Sequence, residues 1–387
     1  MDAKSPPSAL EGVLVADFSR VLAGPFATML LGDLGADVVK VERPGTGDET
    51  RAWGPPYVDG ESAYFLAINR NKRSIAVDLG SATGREVARR LAEKADVVVE
   101  NFKPGTMERV GLSYEEVSAT NCGVVYCTVS GFGREGAGAS LLGYDFIVQA
   151  VGGLMHITGL QDGEPTKVGV AVVDVLTGLF AANAILAALL ARSRTGKGQQ
   201  VDVDLMSCLL AGLVNQASTF VTTGEVPRAI GNRHPAVSPY EMFATSDRPL
   251  VIAVGNDRQF AALAGVLEMQ WLAADDRFAT NPARVVNHGE LSALIGRKLR
   301  EEPAALWLER LESAKVPSGP VNDIREAFAL AARLGLDPVV KVGDGSGRDE
   351  VAQVADPMRL SASPVTYRRR PPRLGEHTEE VLRQLGL

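Results

Sequence analysis

The chain has 387 residues, 45% of them hydrophobic and 22% charged, the balance of an ordinary folded protein with a substantial core. A net charge of −7 supplies no overall basic field for nucleic acid. Three cysteines (Cys122, Cys127, Cys208) and four scattered histidines give neither a disulfide framework nor a zinc-ligand spacing.

At roughly 150 residues per domain, the length predicts two or three domains. The opening MDAKSPPSALEG is polar and proline-bearing, unlike a secretion signal, so the expectation is a reduced, cytoplasmic protein. Residues 13–17 (VLVAD) read as a buried strand. A loop with Gly24-Pro25 and a helix ending near Gly32 or Gly35 follow, then a second strand over 37–43 (DVVKVER). Further strands are predicted over 73–79, 96–100 and 123–130, with an amphipathic helix over 81–94. This alternation predicts an α/β fold on a parallel, doubly wound, Rossmann-like sheet. Gly131-Phe-Gly133-Arg-Glu-Gly136 spells GxGxxG after a strand. No clear helix follows it and no acid ends a strand about twenty residues on, so a mobile loop is expected rather than a dinucleotide site.

The chain is organised around residues 168–192. Residues 170–173 have strand character, 176–191 form an almost wholly apolar helical run, and Asp174 stands between them. Two readings stay open on these residues alone: an N-cap accepting the free N–H groups of the first turn, or a carboxylate nucleophile held at a pocket mouth. The apolar run falls short of the ~20 residues of a membrane span and contains Gly178 and Asn183, so no span is expected. A basic turn (RSRTGKGQQ), a strand (VDVDL) and a helix over 206–221 come next. Composition shifts at 222. A linker over 222–245 leads to a smaller α/β unit with a strand over 250–254 and helices over 258–267, near 290–300 and over 304–314. A second linker near 325–345 precedes a Gly-, Pro- and charge-rich stretch and a last helix capped by Thr378. The predicted domains are 1–221, the first part of a large domain; 222–335, linker and small domain; and 336–387, return linker and the end of the large domain.

Basic and amide side chains recur where strands end: Arg20, Arg43, Asn71-Lys72-Arg73, Asn101-Phe102-Lys103 and Arg109. Ligands of open α/β sheets bind beyond the C-terminal strand ends, and cations converging there suit a phosphorylated ligand. Tyr144-Asp145 is read either as a half-buried tyrosine beside a helix cap or as part of a site. His156, in apolar LMHITG, fits packing. Arg233 and His234 sit in a polar loop, where charge suits them to a substrate's distal carboxylate.

Taken together, DFSRVLAGPFATMLLGDLGADVVKVERP, NRNKRSIAVDL, VVVENFKPGTMERVGL, GYDFIVQAVGGLMHITG, the Asp174 helix with TGKGQQVDV, and LGEHTEEVL resemble the class III CoA-transferases, the CaiB/BaiF family. DETRAWGPP and GLMHITG are most similar to the succinyl-CoA-dependent dicarboxylate enzymes. The resemblance implies transfer of CoA from an acyl-CoA donor to a free carboxylic acid, with Asp174 as nucleophile through aspartyl anhydride and aspartyl-CoA thioester intermediates. It places CoA contacts at Arg20, Val21, Arg43, Val77, Asp78, Leu79, Gly80, Asn101, Phe102, Lys103, Arg109 and Tyr144. It implies CoA as substrate with no tightly bound cofactor and no metal, and an interlocked homodimer whose large domain is built from both ends of the chain. Backbone N–H groups at Gly152-Gly153 or Gly255 are expected to stabilise an oxyanion. Two departures stand out. Related enzymes carry a basic residue before GYD where this chain has Leu141-Leu142, and racemases of the superfamily carry His where this chain has Tyr144. An acyl-CoA racemase or epimerase and a non-catalytic CoA-binding protein are the alternatives; Tyr144 argues against the first and an intact Asp174 against the second.

Overall fold

The computed structural model describes residues 7–343 and 349–387. The first six residues, part of the polar N-terminus, and residues 344–348, which straddle the end of the predicted second linker, lie outside them. In chain order the strands are β1 (Leu14–Asp17), β2 (Asp37–Glu42), the short β3 (Tyr57–Val58) and β4 (Glu61–Ser62), β5 (Lys72–Ala76), β6 (Val97–Glu100), β7 (Val125–Ser130), β8 (Gln199–Asp204), β9 (Tyr240–Phe243), β10 (Leu250–Ala253), β11 (Ser318–Pro320), β12 (Val339–Val342) and β13 (Val351–Val354).

Six of them form an all-parallel sheet in the order β5-β2-β1-β6-β7-β8, with Val15 opposite both Val38 and Val97. Counting only these strands, the order is 3-2-1-4-5-6, that of doubly wound nucleotide-binding folds. Strands buried on both faces are continuous apolar runs, and VVVE of β6 shows the reason. Val97 and Val99 pack on one face with the Ala23–Asp33 and Val172–Thr195 helices, through Ala27, Leu31, Ala181 and Ile185. Val98 points to the other face, against Val87, Leu91, Val117, Val381 and Leu385. The last two belong to the Thr378–Leu385 helix, so the C-terminus completes the core begun by the first strands. His377 N–H donates to Ser74 O at 2.9 Å and Asn71 N–H to Arg369 O at 2.8 Å, closing that return.

The chain divides into two compact units. The first comprises Met1–Leu154, Lys167–Glu225 and Asp337–Leu387; the second comprises Met155–Thr166 and Val226–Leu336. Met155–Thr166, which the sequence reading left inside residues 1–221, packs with the second unit. That unit has an antiparallel sheet in the order β11-β10-β9 and a helical core around Phe260, Trp307 and Leu311.

Several local expectations change. Residues 170–173 are not a strand: the helix starts at Val172, runs for 24 residues and ends at Gly196 in the left-handed region. That helix is long and apolar enough to cross a membrane, contrary to the shorter run expected; here Ala181, Ala182, Ile185 and Ala188 are buried in the core. The predicted helix over 206–221 is two helices, Leu205–Gly212 and Val214–Thr223, bent by 85°. The linker near 325–345 opens with a helix, Ile324–Arg333, whose Asp323 and Glu326 form a reciprocal capping box. Strand β9 lies within the predicted linker over 222–245. Thr378 is the first residue of the last helix rather than its cap, which is His377.

Candidate active site

In this strand order the chain reverses direction across the sheet between β1 and β6, and the crevice beyond their C-terminal ends is where doubly wound folds bind ligands. The residues that follow those two strands lock together there. Arg20 N–H donates to Asn101 Oδ1 at 2.9 Å, and Asn101 Nδ2 donates to Arg20 O at 2.7 Å. The Arg20 guanidinium lies 4.9 Å from the centre of the Phe102 ring and pairs with Glu49 at 2.6 Å; its buried Nε has no partner. These groups open into a cavity of about 420 Å³, also lined by Val21, Lys103, Tyr144 and Asp174. Residues 131–143, read from sequence as a mobile loop, supply another wall through Gly131, Gly133, Leu141 and Leu142. The loop closes on itself: a Cβ on Gly131 would stand 2.6 Å from Gly143 Cα. Its glycines serve backbone packing, which accounts for the misleading GxGxxG.

Asp174 lies in the first turn of the Val172–Thr195 helix. Its N-cap, Ala171, makes no side-chain capping bond. Capping comes from elsewhere: Asp145 Oδ1 accepts Val173 N–H at 2.8 Å and Asp174 N–H at 3.3 Å. Buried Gln149 holds that cap, donating to Asp145 Oδ2 at 2.6 Å and accepting Val168 N–H at 2.9 Å. Asp174 therefore has no capping duty. Burial, and then the Asp145 charge, push its carboxyl up to about 7, well above the ordinary carboxylate range.

Tyr64 was not legible in the sequence. Burial and the charges of Asp174, Asp145 and Asp48 push its phenol up to about 12, so it stays neutral at physiological pH within electrostatic reach of Asp174. Trp53 packs edge-on against it at 5.2 Å. The only local signal was an aromatic within the DETRAWGPP stretch, Trp53, and another, Tyr64, shortly after it.

The cavity thus gathers Arg20, Val21, Asn101, Phe102, Lys103, Tyr144 and Asp174. Arg43 and Asp78 follow β2 and β5 at the same C-terminal edge, exposed but outside the cavity lining; Gly80 N–H is turned back onto Asp78 at 2.9 Å. Val77 is core, Leu79 half-buried, and exposed Arg109 donates to Thr106 at 2.9 Å. Asn71, Lys72 and Arg73 are buried and engaged: Asn71 with Asp33 at 2.7 Å, Lys72 with Asp17 at 3.1 Å, Arg73 with Asp37 at 2.6 Å. These three are framework rather than a phosphate site. The proposed oxyanion donors are also engaged: Gly152 N–H with Val148 O, Gly153 N–H with Ala150 O and Gly255 N–H with Gln259 Oε1. His156 is exposed rather than packed. In the second unit, Arg233 lines a cavity of about 440 Å³ with Gln161, Glu241 and His288, while the His234 ring packs at 5.3 Å against Tyr240, tilted by 54°. Among the described residues, no three His, Cys, Asp or Glu side chains are grouped to hold a metal.

Residues 10–378 match the model of CoA-transferase family III. The succinyl-CoA:glutarate CoA-transferase of Mus musculus is 43% identical over 377 residues, covering 97% of this chain and 86% of that protein. The succinate–glutarate CoA-transferase of Agrobacterium fabrum is 44% identical over 394 residues, covering 100% and 97%. The crystal structure of a CaiB/BaiF family protein from Brucella suis matches with a TM-score of 0.88 at 42% identity, covering 98% of this chain and 100% of that one. A parallel sheet with its crevice at the β1–β6 reversal, a half-buried carboxylate in that crevice and family-wide similarity over nearly the whole length lead to one assignment: the chain belongs to CoA-transferase family III and is an enzyme of that class.

Proposed function

We propose that this enzyme moves CoA from a dicarboxylyl-CoA, succinyl-CoA foremost, to a free dicarboxylic acid, with Asp174 as the nucleophile. The observation that carries the mechanism is the position of Asp174 in the crevice, relieved of capping by Asp145 and facing Arg20, Asn101, Phe102 and Lys103 across one cavity. The substrate class rests on the names of the relatives above.

The ionised Asp174 carboxylate attacks the thioester carbonyl. The C–S bond breaks, leaving a mixed anhydride and CoA thiolate. The thiolate attacks the Asp174 carbonyl carbon and expels the donor acid as its carboxylate, forming an aspartyl-CoA thioester. The acceptor carboxylate attacks that thioester and releases the thiolate again. Thiolate attack on the acceptor's carbonyl yields the new acyl-CoA and regenerates Asp174. Each anhydride retains the activation of the thioester, provided water is kept away. Burial of Asp174 serves both ends: it strips water from the nucleophile and raises its basicity, so the carboxylate is a stronger attacker than a solvated one. Arg20, Asn101 and Lys103 hold the CoA moiety, with Arg43, Asp78, Leu79, Gly80 and Arg109 further along the strand ends. CoA comes and goes as substrate and is not a resident cofactor.

The same reading makes the protein a cytoplasmic homodimer, in which Arg233 and His234 read the acceptor's distal carboxylate. Support for the dimer comes from large apolar side chains left exposed on the first unit: Leu179, Phe180, Leu190, Val214, Phe220 and Val221. The test is mass spectrometry of the protein mixed with succinyl-CoA, trapped with hydroxylamine and mapped by peptide. The expected result is a modification confined to the Asp174 peptide. Turnover without any adduct there removes Asp174 from the mechanism, and a monomeric mass by light scattering removes the dimer.

A further inference from the structure

Val21, which lines the cavity, has φ of 69°. For a β-branched residue this is a steric outlier, and such strain persists only where surrounding contacts over-determine it. The contact that does so is identifiable. Val21 N–H faces both carboxylate oxygens of Asp48 at 3.3 Å each. Asp48 is itself clamped: Lys40 Nζ lies 2.9 Å from its Oδ2 with both side chains wholly buried, and Asp48 N–H donates to Glu42 at 3.0 Å. The same ammonium donates to Ser19 O at 2.9 Å, so Lys40 ties the segment after β1 to the one after β2. Asp48 also accepts Thr50 N–H at 2.9 Å, capping the turn over Glu49–Ala52, and that turn presents Glu49 to the Arg20 guanidinium.

We infer that the buried Lys40–Asp48 pair is a positioning device for CoA binding: it holds the strained Val21 backbone, and through Glu49 the Arg20 side chain, in the shape the acyl-CoA meets. Neither residue lines the cavity; both act through Arg20 and Val21. The inference rests on the proposed role of those two residues as CoA contacts. A plain structural role for the pair would lower stability and all kinetic parameters together. A positioning role acts on one substrate.

Asp48→Asn keeps the size and one acceptor but removes the charge that meets Lys40. Its expected effect is an increase of about tenfold in KM for acyl-CoA, the scale of one charge-assisted hydrogen bond, with kcat and KM for the acceptor within about twofold. Adding Val21→Gly to Asp48→Asn is expected to recover most of that loss, because glycine takes positive φ without strain. Unchanged KM for acyl-CoA in Asp48→Asn overturns the inference, and so does a uniform loss that Val21→Gly does not repair. Amide exchange at Val21, read by site-resolved mass spectrometry, separates this inference from the functional reading. It is expected to be slow in the parent and fast in Asp48→Asn whether or not CoA binds. If the parent fails to bind CoA, the functional reading falls; if Val21 exchange does not change in the variant, the positioning role falls.

Discussion

The carboxylate of Asp145 reaches the start of a helix 29 residues further along the chain and accepts the N–H of Asp174 itself, at 3.3 Å. One carboxylate caps so that another need not. The arrangement also sets two negative charges close together, and the Asp145 charge adds to burial in raising Asp174 to about 7. Asp145→Asn retains an acceptor for the cap and removes the charge. The acid limb of the kcat/KM profile is expected to move to lower pH, by less than the whole shift because burial remains. Asp145→Ala loses the cap as well and is expected to cost about 1 kcal/mol of stability. Identical pH profiles for Asp145→Asn and the parent sink the electrostatic part of the argument.

Asp174 gives a second prediction, with the sign fixed by linkage. Its folded value, about 7, lies above the 3.8 of the free side chain, so the folded state binds the proton more tightly. That contribution to stability is fully present below pH 3.8 and is lost as pH rises through about 7. In the proposed mechanism transfer needs the ionised form, so activity is expected to rise over the range in which the fold loses this contribution. Asp174→Asn cannot ionise. It is expected to abolish transfer and to melt about 2–4 °C above the parent at alkaline pH, the shift for 1–2 kcal/mol in a domain of this size. The difference is expected to disappear in acid. A variant that melts below the parent at alkaline pH contradicts the assignment.

The residues that were legible in the sequence and those that were not differ in the range of the interactions that define them. VLVAD, DVVKVER and DVVVE stood out because a strand covered on both faces must be apolar throughout, and the parallel, doubly wound class followed from their alternation with helices; the strand order did not. Asp174 was visible as an acid interrupting an apolar stretch. Its helix was placed four residues late because a local cap was expected at that acid, and the actual cap comes from Asp145. The same limit hid Tyr64, whose tie to Asp174 spans 110 positions of chain. It also misread Lys72 and Arg73 as ligand-facing, because a lysine that will be buried against Asp17 looks in sequence like any surface lysine. Strands β9 and β11 are four and three residues long, and too few alternations distinguish them from the Pro- and Gly-rich segments around them.

Leu142 lines the cavity and is 57% exposed, at a position where a cation is the expectation for a CoA site. Leu142→Lys is expected to lower KM for acyl-CoA by about twofold to fivefold at low ionic strength, the value of one solvent-screened charge facing a phosphate. The gain should fade as salt approaches about 0.5 M, with kcat unchanged. A salt-independent effect, or a raised KM, places the CoA phosphates away from this wall.

Lys72 separates framework from site. Its ammonium lies 3.1 Å from Asp17, 2.8 Å from Pro25 O and 3.0 Å from Asn69 Oδ1, with no solvent access. Burial pushes Asp17 up, but Lys72 and Lys40, with the Ser19 and Thr28 hydroxyls, more than offset this and hold it below 3.8. A depressed carboxylate contributes stability above its free value and loses it as pH falls through the folded one. Lys72→Met leaves Asp17 buried with less compensation, and breaking a buried pair from one side costs about 3–5 kcal/mol. The expected outcome is a large drop in melting temperature at neutral pH that narrows in acid, where Asp17 takes up a proton in both forms. Folded Lys72→Met enzyme, assayed well below its melting point, is expected to keep KM for acyl-CoA within about twofold of the parent, since the cations proposed to meet the CoA phosphates are elsewhere. A selective rise in that KM with little change in stability would return Lys72 to the ligand-binding set.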